Sequence, residues 1–353
     1  MPNAHDDAKL EALANKVMVD VAGAIGVLMA YIGDQAGVYR ALDESGAATL
    51  AQLSHKTGLN PKYLHEWLGS NAAAGYVSYD PEAGTFFLTP EQALVFTREG
   101  QPACMQGFFQ SVVSQFETHE KAVETFTSGR GRPWGEHASG CFCGTDRFFR
   151  PAYMANLIEH WIPSLDGVEA KLKAGAKVAD IACGHGSSTI LMAQAFPNSR
   201  IFGFDFHEPS IQAARKKAAQ AGLSNVEFHV AKAKDFPGAG YELACIFDAL
   251  HDMGDPVSAA RHIKETLKPN GTFMLVEPLA GDRMQDNLHP LGQIFYGFST
   301  TVCTPASLAQ EVGRGLGAQA GQKLLTEVLN EAGFPNVRRA SVTPTNMVLE
   351  VRG

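Results

Sequence analysis

The sequence predicts an α/β protein: an open, mostly parallel sheet covered by helices on both faces, preceded by an N-terminal helical and winged-helix region. Three observations predict it. Beyond Gly175, apolar runs of strand length alternate with helical patterns, the signature of parallel strands joined by crossover helices. Ahead of them, the stretch from Thr49 to Pro90 reads as helix, turn, helix and hairpin. At the end, NVRRASV and NMVLEVR lie close enough to pair as an antiparallel hairpin at the sheet edge.

Taken in order, the apolar run from Val17 to Ile32 contains Asp20 and several glycines and is short for a bilayer span of about 20 residues, so a helix buried against protein is expected. In ATLAQLSHKTGLNPKYLHEWLGSNAAAGYV, Thr49 is an N-cap, Thr57-Gly58-Leu59 a break, and Asn60-Pro61 the start of a second helix. YVSYDPEAGTFFLTP supplies the two strands of a wing. That second helix offers Lys62 as its basic residue, beside Glu66, so phosphate contacts are poorly provided for and dimer packing is the expected role. Residues 97–165 read as aromatic-rich helices interrupted by a long Gly/Pro loop, SGRGRPWGEHASGCFCGTDRFF, whose length suggests a lid over substrate. Trp134, His137, Phe148 and Phe149 are its pocket candidates. Cys141 and Cys143 within it could hold a soft metal, but no second Cys/His pair at zinc-finger spacing accompanies them and no metal is expected.

KVADIAC, RIFGFDF, VEFHVAK, YELACIFDAL and TFMLVEP are the expected strands, with PSIQAARKKAAQAG and DPVSAARHIKETLK among the helices between them. Asp255-Pro256 reads as a helix N-cap followed by proline, and Asn270-Gly271 as a turn into the fifth strand. Residues 281–317 look mobile, and a helix around Lys323 to Ala332 precedes the last hairpin.

A net charge of -8 and a sequence pI near 5.8 give no electrostatic case for a nucleic-acid partner. No signal-peptide pattern opens the chain, and six scattered cysteines suit a reducing, cytoplasmic location without membrane attachment.

The chemistry concentrates after the first strand of the α/β region, in VADIACGHGSST. Gly184 and Gly186 let the backbone approach a ligand where a β-carbon would clash, and Ser187 and Ser188 open a helix whose free N–H groups face the site. A nucleotide cofactor fits such a loop. Thr189 stands where a dinucleotide-binding turn has Gly or Ala, which disfavours an NAD-dependent oxidoreductase. Asp180 precedes the glycines, Asp205 closes the second strand where a carboxylate can accept both ribose hydroxyls, and Phe206 can lie against adenine.

VADIACGHGSST, FGFD, FDALHDMGDP and LKPNGTFMLVEP together resemble the successive motifs of class I S-adenosylmethionine-dependent methyltransferases, trailing hairpin included. The N-terminal region resembles the dimerisation domain of the small-molecule O-methyltransferases, and the whole chain is similar to mycobacterial methyltransferases that carry a transcriptional-regulator label. The resemblance implies a Rossmann-like sheet and S-adenosyl-L-methionine as cofactor. It implies three regions: a winged-helix dimerisation domain over residues 1–96, a helical linker and lid over 97–165, and the cofactor domain over 166–353.

On the same footing, Gly184 and Gly186 pass close to the methionine part of the cofactor, Asp180 supports its amino group and Asp205 holds its ribose. Lys232 stands where relatives place an acid against adenine, so that contact passes to Ala233, Lys234 or Asp235; Phe247 is a further cofactor-site candidate. Ala182 replaces the first motif glycine, a small change if its backbone angle is ordinary. His251 matches the proton-removing histidine of the HD pair, with Asp252 or Glu277 to orient it, although Met253 replaces the usual tryptophan. The expected product is a methylated small molecule, most directly at a hydroxyl, enclosed by Phe149, Tyr153, Met154, Phe295 and Tyr296 and the loop around Asp286 to Thr304. The rival readings are a cofactor-sensing transcriptional regulator and the oxidoreductase. His160, His207 and His289 lack partners at metal-ligand spacing and are read as packing residues.

Overall fold

The computed structural model describes residues 5–353 and divides into two compact units. One comprises the residues up to Glu117 together with Cys143–Pro151; the other comprises Thr118–Phe142 and Ala152–Gly353.

The first unit is the winged helix. Thr49 and Gln52 close a reciprocal capping box at the start of the helix Leu50–Thr57, and Asn60 accepts from the Lys62 amide to start Pro61–Ala73. The wing strands β2 (Ser78–Asp80) and β3 (Thr85–Phe87) pair antiparallel, and β3 also pairs with β1 (Ala48–Thr49). Tyr39, Leu68, Trp67 and Phe96 form the core, and Gly33 is small because a β-carbon there would fall 2.1 Å from the Trp67 ring.

The long helix Asp7–Gln35 departs from expectation. It has 29 residues, starts at an Asp6 cap well before Val17, and is long and apolar enough to cross a membrane by length and composition. Its apolar side is not buried against this chain: Leu13, Val17, Val21 and Ile25 are each more than half exposed, and only Gly26, Ala30 and Gly33 are buried. The sequence carries the apolar pattern but not what covers it.

The expected loop around Cys141 is also a helix, Ser139–Asn156, so the connection is confined to residues 129–138. Its glycines serve close packing: a β-carbon on Gly144 would meet Ser111 Oγ at 2.5 Å. Cys141 is buried and Cys143 exposed. Two residues apart on a helix, they point to different sides and cannot converge on one ion. Residues 281–317, read as mobile, instead contain the helices Pro290–Phe298 and Thr304–Leu308, joined by a π-helical turn over Ser299–Cys303. His289 caps the first of these by accepting from the Gly292 amide at 3.1 Å.

The second unit contains the predicted sheet. Its strands are β4 (Lys177–Ile181), β5 (Arg200–Asp205), β6 (Val226–Val230), β7 (Tyr241–Phe247), β8 (Leu267–Pro278), β9 (Asn336–Val342) and β10 (Asn346–Arg352), in the spatial order β6-β5-β4-β7-β8-β10-β9. The first five run parallel and β10 pairs antiparallel with both β8 and β9. Asn270-Gly271 lies inside β8, where the ladder with β7 jumps from Tyr241↔Leu267 to Leu243↔Thr272, so the chain around the expected turn interrupts the pairing. Phe204, Phe236, Tyr241, Phe273 and Phe334 fill one face. Chain order reverses between the neighbours β4 and β7, so their carboxyl ends flank the crevice where such sheets bind ligands.

Candidate active site

At the end of β4 the chain turns through Ala182 at φ 59°, Gly184 at φ 52° and Gly186 at φ 75°. Ala182 therefore does not have an ordinary backbone angle: an L-residue in the left-handed region costs about 1–2 kcal/mol. Ala182→Gly is expected to raise stability by about 0.5–1 kcal/mol once glycine's greater unfolded-state freedom is subtracted. A denaturant midpoint that fails to rise would show that the turn is unstrained. The two glycines differ in what they do. A β-carbon on Gly184 would meet open space, whereas one on Gly186 would strike the Phe228 ring at 2.8 Å and the Ala214 methyl at 2.9 Å. Gly184 thus leaves room for a ligand, and Gly186 lets the turn sit on its own domain.

Asp180 is fully buried, and its Oδ2 accepts from Ser188 Oγ at 2.7 Å and Thr189 Oγ1 at 2.6 Å. Thr189, the residue at odds with a dinucleotide turn, ties strand to helix through this bond. The other oxygen, Oδ1, is buried with no hydrogen-bond partner among the described residues, and burial pushes the carboxyl up to about 6. Asp205, at the end of β5, accepts from the Gly184 amide at 2.9 Å and the His207 amide at 2.8 Å, so it fixes the glycine turn from the neighbouring strand. Phe206 beside it is 49% exposed. Phe247 packs against Tyr153 and Trp161. Ala233 packs against the core, while Lys234 is drawn into an ion pair with Glu311.

At the end of β7, Asp248 is held at φ 51° and accepts from Asn346 Nδ2 at 2.6 Å. His251 follows in a single 3-10 turn and is 3% exposed. Its Nδ1 bonds Glu277 Oε2, and Glu277 Oε1 accepts from the Leu250 amide at 2.9 Å, so the carboxylate holds both the ring and the turn that carries it. Of the two acids proposed to orient the imidazole, Glu277 is therefore the one on Nδ1. Asp252 Oδ1 lies 3.1 Å from Nε2 on the other side. Burial disfavours the imidazolium, but the Glu277 and Asp252 carboxylates outweigh it and raise the His251 pKa well above its usual value. Cys303 joins them: its sulfur and the His251 and Asp252 donor atoms lie within 4.8 Å of one another, and burial pushes the thiol up to about 12.

The aromatic candidates separate. Trp134 and Phe295 pack around Cys141, Val302 and Cys303. Tyr153 is buried in the same unit, Met154 is 49% exposed, and Tyr296 is half-buried on the helix Pro290–Phe298. Phe149 belongs to the first unit, where it packs edge-on against Phe148. Asp255 caps its helix as expected, accepting from the Ser258 amide at 3.0 Å. His207 bonds Ser210 and contacts the Phe142 ring, and His160 lies in a π-helical turn. Asp248, Cys303 and Asn346 were not singled out from the sequence. Only Asp248, an acid at a strand end, carried a local signal.

A glycine turn braced by a carboxylate from the next strand, with a histidine–glutamate pair one strand over, is the layout the motif order implied. Residues 172–333 match the family model of a methyltransferase domain, and residues 23–98 match that of an Rv2258c-like winged HTH domain. The chain carries a methyltransferase domain joined to a winged HTH domain.

Relatives of this methyltransferase include the demethylmenaquinone methyltransferase of Bacillus velezensis, 25% identical over 49% of this chain and 76% of that one. The ubiquinone biosynthesis O-methyltransferase of Leptothrix cholodnii is 29% identical over 36% of this chain and 53% of its own length. Among solved structures, human N-acetylserotonin methyltransferase, in complex with S-adenosylmethionine, aligns over 100% of this chain and 99% of its own with a TM-score of 0.70 at 16% identity. An O-methyltransferase family protein from Burkholderia thailandensis aligns over 99% of both chains with a TM-score of 0.68 at 17% identity. Such structural likenesses at low identity speak for the fold.

Proposed function

We propose that the methyltransferase binds S-adenosyl-L-methionine at the β4 turn and methylates a hydroxyl of a small molecule, with His251 removing the proton. The observation that carries the reading is the His251–Glu277 pair, buried at the end of β7 beside the turn. The residues present fit the cofactor. Gly184 leaves space above the turn, Asp205 keeps lone pairs for two ribose hydroxyls, and the buried Asp180 Oδ1 remains to meet an ammonium group or a water bound to it.

Bound S-adenosyl-L-methionine supplies a methyl carbon on a sulfonium, which an oxygen nucleophile attacks in line. The chain must then orient that oxygen and take its proton. With Glu277 on Nδ1, an incoming hydroxyl would meet the Nε2 side of His251, which Asp252 Oδ1 also faces at 3.1 Å. Phe206 and Phe247 are the side chains to lie along the cofactor, and the apolar surroundings of Cys303 suit a partly aromatic acceptor.

Calorimetry with S-adenosylmethionine and its demethylated product tests the donor site. Both are expected to bind, and Asp205→Ala is expected to weaken binding by about 10- to 100-fold, the loss of hydrogen bonds to a charged acceptor. No heat of association with folded wild-type protein would overturn the reading.

The exposed apolar side of the helix Asp7–Gln35 supports a homodimer formed through the N-terminal unit. Its Leu13, Val17 and Val21 present a stripe that a second copy of the helix would cover. Light scattering is expected to give twice the 37.9 kDa chain mass, and the triple variant Leu13→Asp, Val17→Asp, Val21→Asp the single mass. A monomeric wild-type protein would refute the dimer.

A further inference from the structure

The strap formed by residues 129–138 ends in a side chain that the reaction scheme leaves unused. Gly131 is seated so closely on the Leu308–Ala309 backbone that a β-carbon would fall 2.0 Å from the Ala309 nitrogen, and the Arg132 amide donates to Pro305 O at 2.9 Å. The Arg132 guanidinium donates to Glu136 O at 2.7 Å and to Thr118 Oγ1 at 3.2 Å, which folds the strap on itself. Trp134 contacts Phe142, whose ring lies 4.7 Å from that of His207, two residues beyond Asp205. The strap is therefore fixed at two ends, against the Thr304–Leu308 helix and beside the β5 carboxylate.

His137 closes it. The imidazole is 5% exposed, and neither ring nitrogen has a hydrogen-bond partner among the described residues. Burial and then the Arg132 charge push its pKa down to about 4, so the ring is neutral, with one N–H to donate and one bare nitrogen to accept. Asp252 is close enough for its charge to act on His137, and its Oδ1 lies 3.1 Å from His251 Nε2. The surroundings are Trp134, whose ring centroid lies 5.8 Å from that of His137, and the apolar cluster of Cys141, Val302, Cys303 and Ala318 that Trp134, Phe295 and Phe298 pack against. Leaving such groups unpaired is unfavourable, and proteins keep them where a ligand supplies the missing partners.

We propose that His137 is a recognition residue for the methyl acceptor, and that the acceptor is a flat ring carrying two neighbouring hydroxyls. One hydroxyl faces His251 and Asp252; the other satisfies His137. A hydroxyl both donates and accepts, which matches a neutral imidazole, while Asp252 accepts only. The aromatic walls select the flat ring. This inference rests on the methyltransferase reading above, and its test separates the two.

Two measurements decide it. In the free protein, His137→Leu removes two unpaired polar atoms and keeps the apolar volume, so Tm is expected to rise by about 2–4 °C. A purely structural imidazole would give a lower Tm. In protein saturated with S-adenosylhomocysteine, 2,3-dihydroxynaphthalene is expected to bind at least tenfold more tightly than 2-naphthol by calorimetry. His137→Leu should abolish that preference without weakening 2-naphthol, and His137→Gln should restore part of it. Equal affinities in the wild type, binding of neither ring, or a preference that survives His137→Leu would each overturn the proposal. Failure to bind S-adenosylhomocysteine at all would instead overturn the methyltransferase reading on which it stands.

Discussion

Replacing His251 by alanine is expected to lower methyl transfer to a hydroxyl acceptor by about 10²–10⁴-fold, the usual contribution of a positioned base, with S-adenosylhomocysteine affinity unchanged. The separation follows from position: the imidazole stands at the end of β7, bonded to Glu277, whereas the turn braced by Asp205 belongs to β4 and β5. The pH dependence carries an independent check. Because the Glu277 and Asp252 carboxylates raise the His251 pKa, the ring is cationic at the ordinary histidine midpoint of 6.5 and becomes a base only above it. Turnover should therefore climb with pH beyond 6.5, and Glu277→Gln should move that rise to lower pH while reducing the maximum rate. The stability linkage has the matching sign. A raised pKa stabilises the fold fully below the unfolded-state value, and that contribution is lost as pH rises through the folded-state value. Unchanged turnover in His251→Ala would remove this residue from the chemistry.

Gly186→Ala is expected to cost about 2–4 kcal/mol of stability. Two costs coincide there: the left-handed φ of 75° and a β-carbon placed 2.8 Å from Phe228 and 2.9 Å from the Ala214 methyl. Neither neighbour can retreat easily, because Ala214 is fully buried and Phe228 lies in the same cluster under the helix Glu208–Gln220. Donor affinity should fall with stability, since the Gly184 amide that bonds Asp205 belongs to the same turn. Gly184→Ala makes the contrast: its β-carbon meets no protein atom, so any stability loss is conformational, and its larger effect should appear when the donor is added. Denaturant unfolding with and without S-adenosylhomocysteine distinguishes the two. Equal losses for both variants, with and without ligand, would contradict the division of roles between these glycines.

Much of the site was legible because its signals are local. Strand-length apolar runs ended in Asp180, Asp205 and the segment leading to His251, and a carboxylate or imidazole at the end of a parallel strand has few purely structural uses. The misreadings share one cause. Glycine marks both a bend in the chain and a place where two elements touch, so Gly144 and Gly292 made helices look like loops until the neighbours at Ser111 and Asn287 were known. Ala182 was misjudged for a related reason: sequence gives the residue but not its φ, and the turn forces a value of 59°.

By itself the sequence determined the succession of strands in the α/β region, the glycine turn, and which side chains stand at strand ends, because these depend on periodicity and on the intrinsic preferences of neighbouring residues. Only the tertiary structure decided that Glu277 rather than Asp252 holds Nδ1, that Cys303 lies beside them, and that His137 is buried without partners. Those relations join residues far apart in the chain. They arise from the packing of separate strands and loops, and no short-range pattern records it.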